Sequence, residues 1–164
     1  MLRRWSSGVR EIGVYKAIVR NQVRKVFGGL NKGDYQPALD GMARRFDHYF
    51  AGDHCLGGER NNRVSMEKWF ERLFRLNRNL DFDLKHIAVA GWPWDTTVTV
   101  EWTDGATLAN DKPYLNRGVH VVRMRWGKVT SLHAYLDTAV WIEACASMQE
   151  DGIDEAGAPP IQDQ

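Results

Sequence analysis

The segment NRGVHVVRMRWGKVTSLHAYLDT, residues 116–138, predicts the sheet around which the chain is arranged. Its side chains alternate in character on both sides of residues 126–128, which is typical of two strands joined by a tight turn. Such a hairpin indicates an antiparallel sheet in the C-terminal half of the chain.

Chemically useful side chains recur on one face of each predicted strand. His120 lies on the face opposite to Arg123 and Arg125, so we expect it to point inward. The second strand places three polar side chains on one face: His133, Tyr135 and Asp137. The hairpin therefore predicts two imidazoles, a phenol and a carboxylate around one apolar space. These groups suit proton transfer or the binding of a polar ligand.

Length and composition exclude several classes of protein. A chain of 164 residues is typical of one domain with a sizeable core. Its 22 basic and 21 acidic residues leave a formal charge of +1, which gives no reason to expect a nucleic-acid partner. No apolar run is long enough to span a membrane. Two cysteines without a redox or metal spacing, and no secretory signal, predict a cytoplasmic protein with reduced thiols.

Charge at the two ends sets the expected domain limits. Residues 1–8 are basic and are expected to form a flexible N-terminus, and residues 9–149 a single domain. The segment 150–164 carries acidic residues and the pair Pro159-Pro160, which predicts a disordered acidic tail.

Apolar spacing predicts helices in the first half of the chain. One helix is expected over residues 9–30, and a short one after Pro37 that buries Met42 and Phe46. Ser65 is expected to cap a third helix. A short strand is predicted over residues 47–50.

From Leu80 the apolar period changes to two, which indicates strands. They are predicted near residues 80–90, 96–103, 114–126 and 128–137. A phase shift predicts a bulge near Lys85-His86. A polar loop is expected over residues 103–113 and a final helix over 138–148. Helices followed by an antiparallel meander are an α+β plan.

The chain resembles the nuclear transport factor 2-like superfamily, in its SnoaL-like branch, over residues 9–148. The segments that carry the resemblance are 30–35, the glycine-rich loop 52–58, Trp69-Phe70, 91–94, 116–120, 127–129 and 133–138. The resemblance implies a cone-shaped, curved antiparallel sheet wrapped around three N-terminal helices, with a C-terminal helix and a hydrophobic pocket open at one end. It also implies a homodimer formed through the sheet.

This superfamily includes polyketide cyclases, ketosteroid isomerases, limonene epoxide hydrolases, scytalone dehydratases and proteins without catalysis, so the fold does not select a function. Asp137 resembles the last-strand acid of cyclase-like and epoxide hydrolase-like members. The Arg-x-Asp pair of the epoxide hydrolase pattern is absent between residues 98 and 126. His120, Tyr135 and Asp137 match scytalone dehydratase-like members in residue type. The resemblance therefore makes Asp137 and His120 the candidate catalytic residues.

A further set of side chains is expected to hold a ligand: His54, Trp69, Trp94, Trp102, Asn116, His133 and Tyr135. Structural alternatives stay open, because Asp137 is also well placed to cap the following helix and His120 could be a hydrogen-bonded core residue. The tryptophans could equally be ordinary core residues. No cluster has zinc spacing, so neither a metal nor another cofactor is expected.

Three functions fit this sequence. The first is an enzyme that isomerises, cyclises or dehydrates a small, hydrophobic, oxygenated molecule by cofactor-free acid–base chemistry. The second is a binding module of the same fold without turnover. The third is a dimerisation module whose pocket is filled by aromatic side chains. A pocket below ~300 Å³, or one sealed by tryptophan rings, would favour the third.

Overall fold

The structure of the protein, a computed structural model, describes residues 4–163, with side chains from residue 11 onward. The elements in chain order are α1 (Arg4–Leu30), α2 (Gln36–Gly41), β1 (Met42–Phe50), β2 (Gly58–Arg60), α3 (Arg63–Leu76), β3 (Asn77–Trp92), β4 (Asp95–Leu108), β5 (Pro113–Arg125), β6 (Lys128–Leu136), α4 (Thr138–Glu150) and a 3₁₀ turn (Asp154–Gly157). None of the helices described is long and apolar enough to cross a membrane. The predicted α+β class, with three N-terminal helices and a C-terminal one, is confirmed.

Two helix predictions need correction. Helix α1 begins at Arg4, so residues 4–8 are helical rather than flexible, while residues 1–3 lie outside the described part of the chain. Helix α2 ends at Gly41, and Met42 and Phe46 belong to β1. Alternate β1 side chains are buried from Phe46 to Phe50, so the period of two of a strand outweighs helical spacing here.

Helix α3 is capped one turn earlier than predicted. The side chain of Asn62 accepts a hydrogen bond from the backbone N–H of Ser65 at 2.9 Å, so Asn62 is the N-cap and Ser65 lies in the first turn. The predicted polar loop over residues 103–113 is mostly strand, because β4 continues to Leu108 and β5 begins at Pro113.

All six strands form one mixed sheet with the order β2-β1-β6-β5-β4-β3. Its pairs are antiparallel except for β1 and β6, which run parallel, so the fully antiparallel sheet of the prediction is wrong at this position. Strand β1 joins the sheet far from β6 in sequence, as a parallel partner requires a long connection. The predicted bulge in β3 is confirmed, since the register with β4 shifts at Lys85.

A second bulge in the hairpin of β5 and β6 determines which side chains face inward. Arg123 pairs with Ser131 while Met124 pairs with Val129, so Thr130 is an extra residue. Without it, His120 would lie opposite His133, as the sequence analysis assumed. In the structure His120 lies opposite Ala134. A shift of one residue exchanges the two faces of a strand, and His133 and Tyr135 consequently lie on the outer face.

The C-terminal segment is packed against α3 and is not the disordered tail that was predicted. Ala156 is buried, Arg75 pairs with Glu155 at 2.6 Å, and the Asp163 carboxylate bonds the backbone N–H of Asn61 at 2.8 Å. The composition of the tail indicated solvated acids, but Arg72 and Arg75 of α3 pair with Glu155, and Ser65 of α3 donates to Asp163.

Candidate functional site

A cavity of about 160 Å³ lies between the concave face of the sheet and the helices. Gln22 of α1, Pro37 and Gly41 of α2 and Gly127 of the β5–β6 turn line one end. At the opposite end of β5, the ring of Tyr114 packs edge-on against Trp141 of α4, with centroids 5.4 Å apart. The walls are mostly apolar and include Val98, Val100, Val122, Leu132 and Leu136.

Polar atoms without a protein partner collect in this cavity. Among the residues that the structure describes, five buried side-chain nitrogen or oxygen atoms lack a hydrogen bond. Three of them belong to cavity-lining residues: Oδ1 of Asp104, Oδ1 of Asn77 and Nε1 of Trp141. Because buried polar groups are nearly always hydrogen-bonded, a ligand or water in the cavity is a natural source of their partners.

Within the described part of the chain, Asp104 is the only acidic residue that lines the cavity. It follows Val98, Val100 and Trp102 on the inward face of β4, and only 8% of its surface is exposed. Burial raises the pKa of Asp104 from its ordinary 3.8 to about 6, although backbone N–H groups of Asp104 and Asn116 favour the charged form. A carboxyl group in this state can accept and release a proton close to neutral pH.

Tyr114 places its phenol in the cavity near Asp104. Its oxygen accepts a hydrogen bond from Nδ2 of Asn116 at 2.7 Å, which leaves its own O–H free to donate. Burial raises the pKa of Tyr114, so the phenol stays protonated. The same Nδ2 of Asn116 also donates to the carbonyl of Asp137 at 3.1 Å. Asn116 therefore positions Tyr114 and does not itself line the cavity.

His120 is held in one tautomer by Trp102. The indole Nε1 of Trp102 lies 2.7 Å from Nδ1 of His120, and an indole can only donate, so Nδ1 is the acceptor. Burial lowers the pKa of His120 to about 4, and the ring is neutral at physiological pH. The neutral imidazole consequently carries its proton on Nε2.

His48 of β1 is fixed in the same way by Arg60. The Nε of Arg60 donates to Nδ1 of His48 at 3.0 Å. Burial, followed by the charge of Arg60, lowers the pKa of His48 well below its ordinary value. Both cavity histidines are therefore neutral hydrogen-bond donors through Nε2–H.

The predicted site residues divide into two groups. His120, Trp69 and Trp102 line the cavity. The other predicted residues do not line it: His54, Trp94, Asn116, His133, Tyr135 and Asp137. The structure thus does not bring His120 and Asp137 together in one site.

The outer residues have other surroundings. Asp137 is exposed and occupies the N-cap position of α4 without a side-chain capping bond. His133 pairs with Asp47 at 2.8 Å on the outer face, and Tyr135 is 43% exposed. Trp94 stacks on Trp92 at the surface.

His54 stabilises the glycine-rich loop. Its Nε2 lies 2.9 Å from the carbonyl of Ala51, and its Nδ1 accepts from the backbone N–H of Leu56 at 3.3 Å. The ring thus bridges two backbone groups of its own loop, which is a structural role.

Sequence reasoning missed several polar residues of the cavity. The alternation of β4 continues through Asp104, so extending the strand beyond residue 103 would have identified it. Tyr114 precedes His120 by an even number of residues and shares its inward face. His48 was missed because β1 was predicted too short. For Trp141 no sequence signal existed.

No group of three or more His, Cys, Asp or Glu side chains could hold a metal ion among the residues described.

Comparison with known proteins identifies a related family. Residues 23–132 match the model of the SnoaL-like domain. An NTF2-like protein of unknown function from Burkholderia pseudomallei is 17% identical, with a TM-score of 0.69 over 76% of this chain and 95% of that one. TerC, co-crystallised with polyporic acid, is 18% identical, with a TM-score of 0.65 over 76% of this chain and 95% of its own.

AclR, a putative hydroxylase from Streptomyces galilaeus, is 15% identical, with a TM-score of 0.63 over 77% of this chain and 94% of its own. At these identities the three structures show a shared fold. A comparison with curated protein sequences gave no significant match.

Proposed function

Because the chain belongs to the SnoaL-like domain family, we propose that it binds a small, hydrophobic, oxygenated organic molecule and transfers a proton on it without a cofactor. Isomerisation, cyclisation and dehydration all need a group that removes a proton and a group that stabilises the resulting charge. The observation that carries the proposal is the buried carboxyl of Asp104, a cavity-lining residue whose Oδ1 has no partner in the protein. The co-crystallisation of TerC with polyporic acid supports a small organic ligand.

In this proposal Asp104 replaces Asp137 as the acid–base residue. The ionised Asp104 removes a proton from a carbon next to a carbonyl or hydroxyl group, and the protonated form returns it at another position. Donors placed where negative charge develops lower the barrier to such a step. Tyr114, whose pKa the charge of Asp104 also raises, offers its O–H close to Asp104, and His120 offers its Nε2–H further along β5 in the same cavity. His120 then acts as a neutral donor, since its lowered pKa disfavours the imidazolium.

The volume of the cavity favours a second candidate function. A cavity of about 160 Å³ is smaller than the ~300 Å³ at which pockets for drug-sized ligands begin. By the size criterion given above, the volume therefore favours a dimerisation module. We propose a homodimer through the outer face of β5 and β6, where Val121 lies opposite His133 beside the exposed Tyr135. Light scattering after gel filtration should give a mass of two chains, and the Val121→Arg variant should have the mass of a single chain.

The test begins with a thermal-shift screen of small oxygenated compounds, and the compounds that bind are then assayed for turnover. Asp104→Asn keeps the shape of the side chain but removes the base, so kcat should fall by about a hundredfold or more. Asp137→Asn is the matched control and should retain activity within about a factor of two. Circular dichroism checks that both variants fold. If Asp137→Asn abolishes turnover while Asp104→Asn preserves it, the assignment is wrong.

A further inference from the structure

We propose that the occupant of this cavity is an uncharged molecule of about one ring that carries a hydroxyl or carbonyl oxygen, and that carboxylates and phosphates are excluded. The inference deepens the proposed function and rests on it. Three properties of the cavity carry it, namely its charge, its hydrogen-bonding groups and its volume.

The charge of the lining disfavours anions. Among the residues whose side chains the structure describes, no Lys or Arg lines the cavity, and both histidines that line it are neutral. Arg60, which donates to His48, is fully buried and is also held by the carbonyls of Leu56, Gly57 and Gly58. An anion entering the cavity would therefore lose its hydration without a counter-charge and would lie beside Asp104.

The hydrogen-bonding groups require an oxygen on the ligand. Donors are available on Tyr114, Trp141, His48 and His120, whereas Asp104 and Asn77 offer acceptors without partners. Solvent in the cavity can satisfy these groups in the free protein. A purely apolar molecule would displace that solvent without replacing its hydrogen bonds, which lowers affinity. A carbonyl oxygen accepts from these donors, and a hydroxyl group can also donate to Asp104.

The volume limits the ligand to about one ring. An engineered apolar cavity of roughly 150 Å³ accommodates benzene, and this cavity measures about 160 Å³. Phe27, Trp69 and Trp102 line it, so a flat ring can be packed by aromatic side chains. Fused polycyclic compounds exceed this space.

The seven tryptophans allow a site-specific test by NMR of the indole N–H signals in ¹⁵N-labelled protein. Trp69, Trp102 and Trp141 line the cavity, whereas Trp92 and Trp94 are exposed at the surface and act as internal controls. The probes at pH 7.5 are phenol, cyclohexanone, benzoate, benzene and 2-naphthol. Single Trp→Phe variants assign the signals.

We expect phenol and cyclohexanone to shift the cavity indoles and to leave the surface indoles unchanged. The Trp141 proton should move downfield because it gains an acceptor. Benzoate, benzene and 2-naphthol should each bind at least about tenfold more weakly than phenol. Trp141→Phe should weaken phenol binding by at least about threefold, while Trp92→Phe should not change it. Asp104→Asn should reduce the difference in affinity between phenol and benzoate, because it removes the negative charge that repels benzoate.

Each contrary result overturns a specific part of the reasoning. Benzoate binding as tightly as phenol would refute the exclusion of anions, and benzene binding as tightly would refute the requirement for oxygen. Tighter binding of 2-naphthol would refute the limit to one ring. In these three cases ligand binding itself would stand. If no probe shifts any cavity indole while the surface indoles stay sharp, this inference and the proposed ligand both fail.

Discussion

Replacing Asp104 with asparagine should stabilise the protein near neutral pH and have little effect in acid. The folded protein raises the pKa of Asp104 to about 6 from an ordinary value of 3.8. Between these two pH values the folded carboxyl keeps a proton that the unfolded chain has lost. Raising the pH through this window therefore destabilises the folded state, and below it the contribution vanishes.

The size of the effect follows from the pKa difference. A difference of about 2 in pKa corresponds to about 3 kcal/mol, which is an upper value for the penalty reached above pH 6. Asparagine carries no charge at any of these pH values and so avoids the penalty. Its amide nitrogen can occupy the place of Oδ1, which already lacks a protein partner, so the substitution creates no new unsatisfied group.

Urea denaturation followed by tryptophan fluorescence at pH 4 and pH 7.5 measures this difference. The free energy of unfolding of Asp104→Asn should exceed that of the natural chain by less than about 1 kcal/mol at pH 4, at the lower edge of this window, and by up to about 3 kcal/mol at pH 7.5. Titration of His48 and His120 affects both proteins and cancels in the comparison. Asp137→Asn, at an exposed position, should stay within about 1 kcal/mol of the natural chain at both pH values. A variant that is destabilised at pH 7.5, or a difference that does not change with pH, would refute the reasoning.

Two further substitutions test the packing that supports the site. Gly118→Ala should destabilise the protein by about 1–3 kcal/mol in urea denaturation, because the added carbon would lie 2.6 Å from the ring of Trp102. The control Gly13→Ala adds a carbon in open space within α1 and should be neutral or stabilising in the same assay. Arg60→Met should lower the free energy of unfolding by about 3 kcal/mol or more in the same assay, because it leaves buried carbonyl groups without donors. The control Arg63→Met, on the exposed side of α3, should lower it by less than about 1 kcal/mol. Equal losses in either pair would contradict the assigned contacts.

The order of elements could be predicted from the sequence, but the pairing within the central hairpin could not. Strand periodicity located β5 and β6 to within a few residues, and a phase shift in apolar residues revealed the bulge at Lys85. The bulge at Thr130 leaves no such signal, because β6 has apolar residues in both phases around it. One extra residue moved His133 and Tyr135 to the outer face, so the predicted site failed although the strands were right.

The remaining errors concern interactions between distant segments. The C-terminal tail has the composition of a solvated segment, and its order depends on contacts with arginines of α3 about 80 residues earlier. Helix α2 ended early because β1 found a partner in β6, more than 80 residues later. Local sequence patterns do not reveal these pairings. The alternation along β5, by contrast, was enough to predict that His120 points inward.

The buried carboxyl group of Asp104 is stronger evidence for a functional cavity than the small cavity volume is against one. Every other inward position of β4 from Val98 to Trp102 is apolar, and an apolar residue at position 104 would continue this face without a desolvation penalty. The carboxyl instead lies where burial raises its pKa and where Oδ1 has no protein partner. A carboxyl that destabilises the folded protein at neutral pH serves no purpose in a filled core. Such a carboxyl group has a purpose if it accepts a proton from a ligand, since carboxyl groups with perturbed pKa values are the usual means of acid–base chemistry near pH 7.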